Sequence, residues 1–292
     1  MHRRPALAPV LALALLGGLV SGGSTAAGVT SAGAALRPQA AAATPPAVPT
    51  ADADIERFLL KANVLRTRTT GKGITNSLRA TLSDGVLTHD AHIQTIDESK
   101  REFRGDQGVE FNFRDSWTFN VAAYKIDRLL GLKFVPVTVE RRWRTSLGSF
   151  TWWIDDVMME EADRLKRKLQ SPDPQGWNEE MQLLRLLDQL IANTDRNLGN
   201  LIITKDWNIW AIDHTRAFRV HGTLKTPANI ARCDRQIFER LKALDRAALR
   251  REVAEHLQTW EIDGLLKRRD AIVALIEKKG PAGLFDRRRK FE

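Results

Sequence analysis

The chain has 292 residues, of which 43% are hydrophobic and 28% are charged, a composition that is ordinary for a globular protein. Its formal net charge of +9 permits an anionic partner without requiring one. The single cysteine, Cys233, excludes an intramolecular disulfide and a metal cluster built from several cysteines. We expect it to be a small, buried side chain.

The N-terminus has the residue order of a secretory signal peptide. Arg3 and Arg4 precede an apolar run from Ala6 to Val20, small residues follow, and cleavage is expected after Ala26. The apolar run is too short, and too rich in Ala, Gly and Pro, for a stable membrane span. Residues 27–53 are mostly small residues and proline, which predicts a disordered linker. We therefore expect an exported protein, periplasmic or secreted.

Residues 54–158 are interpreted as a small, β-rich lobe. Between residues 64 and 97, β-branched and leucine side chains alternate with polar ones, which indicates a β-meander. A glycine loop is expected at 71–73 and a tight turn at Asp84–Gly85. Residues 114–132 change to helical spacing and are expected to end at Gly131, and two strands should follow around Gly148.

Residues 159–292 are interpreted as a larger, mainly helical lobe. Residues 178–193 predict a strong amphipathic helix, and "NLIIT" and "NIWAID" predict two strands joined by "KDWN" as a hairpin. Further helices are expected near 234–257 and 262–279. The predicted fold class is therefore α+β.

One group of polar residues surrounds this hairpin. Asp195 stands at a helix-to-loop transition, where an exposed carboxylate can accept a proton or orient a hydroxyl. Asn200 begins one strand of the hairpin and Asp213 ends the other, so their oxygen atoms should meet. Such hard ligands suit Mg²⁺ or Mn²⁺ held together with phosphate oxygens. A free carboxylate beside a two-ligand metal site is the layout of phosphoryl transfer.

The segments "DRNLGN" and "IDH" resemble the catalytic loop and metal strand of the protein-kinase-like fold. They are most similar to the branch that holds the phosphoinositide kinases, the HipA-type toxin kinases and the secretory-pathway kinases. This resemblance implies a two-lobed fold with a cleft, a catalytic role for Asp195 and Arg196, and metal ligation by Asn200 and Asp213. It also implies ATP with Mg²⁺ or Mn²⁺ as cofactors, and a hydroxyl-bearing acceptor. His214 stands where ordinary kinases have phenylalanine.

The nucleotide side of the cleft departs from the family pattern. Gly71, Lys72 and Gly73 resemble part of a glycine loop over phosphates. Gln94, however, stands where the family has a lysine, and Asn120 stands where the family has the glutamate that pairs with that lysine. We assign all five residues to nucleotide binding and expect Gln94 and Asn120 to lie within reach of each other, because two amides keep the site neutral and can hydrogen-bond.

Three other interpretations remain open. The chain could be a catalytically silent, pseudokinase-type binding module. The polar residues could be only a turn residue, a cap and a strand-end ion pair. An exported basic module for anionic polymers rests on charge alone. We expect neither nucleic acid as a partner nor a stable membrane span.

The signal peptide gives the first testable prediction. Protein recovered outside the expressing cell should lack residues 1–26, because a signal peptidase reads the small residues before Ala27. N-terminal sequencing or intact mass measures this directly. Exported protein that still begins at Met1 would contradict the prediction.

Overall fold

A computed structural model describes the chain in four stretches: residues 48–71, 77–105, 108–193 and 196–288. The predicted signal peptide, most of the predicted linker, Lys72, Gly73 and Asp195 lie outside these residues. Of the two predicted catalytic residues, the structure therefore describes Arg196.

The N-terminal half of the described chain is mainly β-structure. Its elements are α1 (Asp52–Lys61), β1 (Asn63–Thr69), β2 (Leu78–Ser83), β3 (Thr88–Gln94), β4 (Asp97–Gly105), β5 (Gly108–Ser116), α2 (Thr118–Leu130), β6 (Thr138–Trp143) and β7 (Ser146–Trp152).

The C-terminal half is mainly helical. Its elements are β8 (Val157–Glu160), α3 (Glu161–Lys166), α4 (Pro174–Leu190), β9 (Leu201–Thr204), β10 (Ile209–Ala211), β11 (Cys233–Asp234), α5 (Arg235–Ala243), α6 (Arg246–Val253), α7 (Thr259–Lys279) and β12 (Leu284–Phe285). Short 3-10 turns lie at Leu198–Asn200, Pro227–Asn229 and Gly280–Gly283.

The predicted meander is part of a five-stranded antiparallel sheet with the order β1-β2-β3-β7-β6. Strand alternation divides the side chains of this sheet between two faces. Leu82, Ile93 and Phe150 lie buried in the core. The other face carries polar residues: Arg79 pairs with His92 across β2 and β3, and His92 pairs with Thr151 across β3 and β7.

Helix α2 agrees with the predicted helix except at its start. It ends at Gly131, whose φ of 70° is the left-handed conformation that favours glycine. Residues 114–116 belong instead to β5, and the Ser116 hydroxyl accepts a hydrogen bond from the backbone N–H of Thr118 at 3.3 Å. The strand continues this far because its backbone pairs with β4 up to Ser116.

The hairpin formed by β4 and β5 was not predicted. Asp97 pairs with Ser116 at its base and Gly105 with Gly108 near its tip. β5 does alternate, with Val109, Phe111 and Phe113 between polar residues, but its partner β4 has Phe103 as its only apolar side chain and is almost wholly exposed, so the sequence offers no second strand by this pattern.

The larger half confirms the amphipathic helix and the β-hairpin. Asp173 caps α4 by accepting a hydrogen bond from Gly176 N–H at 3.0 Å, and β9 and β10 join β8 in a three-stranded sheet. The helix predicted at 234–257 is instead two helices, because Asp245 accepts a hydrogen bond from Ala248 N–H at 2.7 Å and starts a new one. Among the described residues, no helix has the length and apolar character needed to cross a membrane.

Cys233 is fully buried, as predicted. Burial raises the pKa of its thiol to about 12. The thiol is therefore protonated at neutral pH and is a packing group rather than a nucleophile.

Gly264 allows α7 to approach the chain that follows Asp213. A Cβ at this position would lie 2.8 Å from the carbonyl oxygen of Val220 and 3.0 Å from Nη1 of Arg268. Alanine in an ordinary helix stabilises by about 1 kcal/mol relative to glycine. Gly264→Ala should instead lower the free energy of unfolding by about 1–3 kcal/mol, because the added methyl group overpacks a buried contact.

Urea denaturation of the purified variant measures this change. Ala274→Gly, on an exposed position of the same helix, is the matched control and should cost about 1 kcal/mol from helix propensity alone. A Gly264→Ala protein more stable than the parent would show that the close approach is absent.

Candidate functional site

The β9–β10 hairpin brings two predicted metal ligands to one end. Leu201 pairs with Ala211, and beyond this pair the backbone N–H of Ile212 donates to the carbonyl oxygen of Asn200 at 3.0 Å. Asp213 is the next residue along the chain. Asn200 and Asp213 therefore lie within one residue of each other across the hairpin, as the sequence predicted.

Asp213 has an unusual backbone conformation. Its φ is 57°, in the left-handed region that few residues other than glycine adopt and that aspartate tolerates better than most. The side chain is exposed, and the Thr215 hydroxyl donates to its Oδ1 at 3.2 Å. The carboxylate is thus accessible to a ligand while its backbone is held in a strained state.

The donor set fits a hard divalent cation. A carboxylate from Asp213 and an amide oxygen from Asn200 are the ligand types that Mg²⁺ and Mn²⁺ take. No group of three or more His, Cys, Asp or Glu side chains within the described ranges could hold a metal by itself. A cation at this hairpin would complete its coordination with phosphate oxygens and water.

Arg196 ties the loop to its surroundings. Its guanidinium binds both carboxylate oxygens of Asp188 on α4, with N–O distances of 3.1–3.2 Å. The same side chain donates to the carbonyl oxygens of Ile212 at 2.7 Å and Asn200 at 3.3 Å. Its Nη2 also lies 2.8 Å from Nε2 of His214. These contacts make Arg196 a positioning residue for both predicted metal ligands.

His214 is neutral in this arrangement. A guanidinium can only donate, so Nε2 of His214 must accept from Arg196 with its lone pair. Burial, and the positive charge of Arg196, lower the pKa of His214 well below its usual value. The polar ring therefore fills a buried position where ordinary kinases have phenylalanine.

Backbone strain is concentrated on either side of the loop. Ala192 and Phe218 have φ values of 47° and 58°, and the N–H of Phe218 donates to the carbonyl oxygen of Ile191 at 2.5 Å. Positive φ is rare for a bulky residue and persists only where the surroundings hold it. The start of the loop and the chain after Asp213 are thus fastened to each other.

Gln94 on β3 and Asn120 on α2 both adjoin Ser149 of β7. Both are buried, at 3% and 5% exposure. Asn120 Nδ2 donates at 3.2 Å to the hydroxyl of Ser149, the residue that pairs with Gln94 across β3 and β7. The Gln94 Oε1 accepts from the backbone N–H groups of Thr95 and Ile96. Strand and helix pack together here, as the expected pairing of the two amides requires.

The second contact of Asn120 was not foreseen. Its Oδ1 accepts a hydrogen bond from the backbone N–H of His214 at 2.8 Å. Both ends of the amide are therefore engaged by protein, one in the small lobe and one beside Asp213. These contacts give Asn120 a positioning role, and its nucleotide-binding role stays a prediction.

Polar and aromatic groups on the sheet face the metal strand. Burial lowers the pKa of His92 on β3, and the negative charge of Asp213 opposes that shift, so the two side chains are close enough to interact. Beside His92, Arg79 binds Asp90 at 2.5 Å and lies 4.0 Å from the ring centre of Trp153. Trp153 is half-buried beside this guanidinium.

The glycine loop is described only at its base. Gly71 has a φ of 66°, and the backbone N–H of Thr70 donates to the carbonyl oxygen of Ser77 at 3.1 Å. The chain therefore turns between β1 and β2 where the sequence predicted a loop. Lys72 and Gly73 lie outside the described residues.

The unpredicted β4–β5 hairpin holds the segment that follows Asp213. Two hydrogen bonds join its backbone to the larger half, Ser116 N to Thr215 O at 2.8 Å and Arg219 Nη1 to Arg114 O at 2.9 Å. Ion pairs add to them: Asp115–Arg216, Glu110–Arg219 and Arg114–Glu261, each at 2.7 Å. The last of these uses the capping glutamate of α7, which is 2% exposed. The segment after the metal strand is therefore ordered by the protein itself.

Sequence reasoning missed Asp188 and Ser149. Asp188 did carry a signal, because it is an acidic residue within the apolar run "LLRLLDQLIAN", and a buried carboxylate needs a partner. Ser149 carried no such signal, since a serine beside a glycine in a strand is ordinary.

The sequence matches no protein-family model and no curated protein. Solved structures do match. A Fam20 protein of hydra, determined with sugar, has a TM-score of 0.59 at 13% identity over 80% of this chain and 92% of that one. The Golgi casein kinase with Mn/ADP bound has a TM-score of 0.57 at 13% identity, with 80% and 78% of the chains covered. Another structure of the Golgi casein kinase gives 0.55 at 14% identity, with 82% and 79% covered.

These similarities establish the fold. The chain has a kinase-like α+β fold, so the predicted fold class and the resemblance to kinases are confirmed at that level. At such low identity the likeness carries the fold alone.

The role of Arg196 can be tested by a change that keeps its charge. Arg196→Lys should lower the free energy of unfolding by about 2–4 kcal/mol, because an ammonium cannot bind Asp188 in two places and also reach two carbonyl groups. Urea denaturation measures the change. Arg185→Lys, at an exposed position on α4, should stay within about 0.5 kcal/mol of the parent. Equal stability of the two variants would contradict the clamp.

Proposed function

We propose that the chain is a metal-dependent phosphotransferase that moves a phosphoryl group from a nucleotide to a hydroxyl acceptor. The observation that carries this proposal is the hairpin end, where Asn200, which closely follows Asp195 in the sequence, lies together with Asp213. A hard-cation ligand pair next to a free carboxylate is what phosphoryl transfer needs. The kinase-like fold supports the same reaction class.

The cofactors follow from the ligand chemistry. Asn200 and Asp213 would hold Mg²⁺ or Mn²⁺, which neutralises phosphate charge when bound. The Golgi casein kinase, a structural neighbour, binds Mn and ADP. ATP is therefore the donor we propose, with Gly71, Lys72 and Gly73 covering its phosphates.

The protein side chains divide the remaining work. Asp195 would orient the acceptor hydroxyl and accept its proton, which the end of a rigid helix favours. Arg196 fixes the loop and the metal strand relative to each other through its four partners. Placement of this kind lowers the entropic part of the barrier, since the reacting groups need not be brought together again in each turnover.

A silent nucleotide-binding module is the second candidate. It is favoured by the neutral amides of Gln94 and Asn120, because neither can supply the positive charge that the family lysine gives to the phosphates. Turnover distinguishes the two candidates, since both would bind a nucleotide with metal.

We also propose that the protein acts after export, on the basis of its N-terminal residues. ATP is scarce outside a bacterial cytoplasm, so an exported enzyme would work inside another cell, in a eukaryotic secretory pathway, or with another phosphoryl donor.

Calorimetry with ATP and Mn²⁺ tests the ligand assignment. Asp213→Ala should weaken metal-dependent ATP binding by about tenfold or more, because it removes the charged metal ligand. Asp195→Ala should leave binding nearly unchanged and should abolish phosphate transfer to any acceptor. Asp270→Ala, an exposed carboxylate on α7 whose side chain is 68% exposed, is the matched control. Equal ATP affinities for Asp213→Ala and the parent protein would refute the assignment.

A further inference from the structure

The residues on either side of Asp213 are held more tightly than Asp213 itself. Before it, Ile212 donates through its N–H to Asn200 and accepts through its carbonyl oxygen from Arg196 at 2.7 Å. After it, the backbone N–H of His214 donates to Asn120 at 2.8 Å. The exposed carboxylate therefore stands between two fixed peptide groups, and these groups maintain its left-handed φ of 57°.

The hydrogen bonds form a continuous chain through the molecule. Asp188 on α4 binds Arg196, Arg196 donates to the ring of His214, and the backbone of His214 donates to Asn120. Asn120 on α2 then donates to Ser149 on β7. We call these five residues the relay. It joins the helix that precedes the catalytic loop to the sheet of the small lobe, and it passes directly beside Asp213.

The relay has a fixed direction. Arg196 has only donors, so the ring of His214 must accept at Nε2. Asn120 accepts from His214 through Oδ1 and donates to Ser149 through Nδ2, which also fixes the orientation of its amide. A chain in which each group has one allowed role permits few alternative arrangements.

We propose that His214 and Asn120, linked through Arg196, are positioning residues that hold Asp213 in its metal-binding conformation. This inference rests on the proposed function, and it gives His214 and Asn120 a role at the metal rather than at the nucleotide. Phenylalanine at position 214 would fill the same space, but it would leave Nη2 of Arg196 without this acceptor.

A purely structural role is the alternative, since buried polar groups need partners in any protein. The two roles predict different measurements. A structural contact contributes to the stability of the whole fold. A positioning contact also affects the metal-dependent part of nucleotide binding, because the geometry of Asp213 matters only when the metal is present.

The test compares ADP binding with Mn²⁺ and ADP binding in EDTA for the full chain. His214→Leu and Asn120→Leu should each raise the Kd for ADP with Mn²⁺ by about tenfold, as expected for loss of a hydrogen bond to a charged or buried group. The Kd for ADP in EDTA should change less than about twofold, since no metal is then involved. His214→Gln, which restores an acceptor, should recover most of the metal-dependent affinity.

Two further variants provide a milder change in the relay and a control outside it. Ser149→Ala removes only the far end of the relay and should raise the Kd with Mn²⁺ by about threefold, so it reports on the relay if the leucine variants do not fold. His256→Leu is the matched control, because His256 is a buried histidine whose Nε2 lies 3.1 Å from Glu140, outside the relay. It should lower the melting temperature and leave the ratio of the two Kd values unchanged.

The outcomes separate this inference from the proposed function. Relay variants that melt earlier but keep the parent ratio of Kd with and without Mn²⁺ would overturn the positioning role alone. A parent protein that binds ADP equally well with Mn²⁺ and in EDTA would overturn the proposed function, and the positioning role with it.

Discussion

The guanidinium of Arg196 is the contact on which the rest of the site depends. It binds a buried carboxylate on α4, two backbone carbonyl groups and a histidine ring, and these partners belong to three different segments. A planar group with five donors can satisfy such a set, whereas an ammonium cannot match its geometry. The hairpin end, the loop that begins the hairpin and the chain after Asp213 are thus held in register by one side chain.

A second buried arginine holds the chain on either side of this region. Arg268 on α7 is fully buried, and it donates to the carbonyl oxygens of Leu190, Arg219 and His221. Burial lowers its pKa to about 10, which still leaves it charged at neutral pH. The positive-φ residues Asp213 and Phe218 lie between these two arginines in sequence, and Ala192 lies just after Leu190, which Arg268 binds. Strain of this kind persists where surrounding bonds offset its cost, so the site is organised before any ligand arrives.

Local patterns explain what the sequence could predict. The meander, the helix that ends at Gly131, the amphipathic helix α4 and the β9–β10 hairpin each follow from periodicity and turn residues within a short window. The β4–β5 hairpin was missed because β4, with Phe103 as its only apolar side chain, shows no alternation to pair with that of β5. The break between α5 and α6 depends on a single capping side chain, that of Asp245. The helical spacing of the sequence continues past this residue and therefore predicts one helix.

The sequence predicted which residue types form the site, but it did not predict the hydrogen bonds that join them to the rest of the chain. The spacing of Asp195, Asn200 and Asp213 indicated a metal and a carboxylate, since the hairpin alone brings the last two together. The contact of Arg196 with Asp188 and the contact of Asn120 with His214 join residues 8 and 94 positions apart.

Asn120 shows most clearly what such a long-range contact does. At this buried position a neutral amide binds a serine and a peptide group without leaving a charge unpaired. Gln94 is also neutral, and Arg79 is already paired with Asp90. A metal held by Asn200 and Asp213 would therefore neutralise a larger share of the phosphate charge than a metal does in kinases that have a lysine at this place. Metal binding at such a site would depend more strongly on how firmly Asp213 is held. The hydrogen bonds of Arg196 and Asn120 converge on the residues directly beside Asp213.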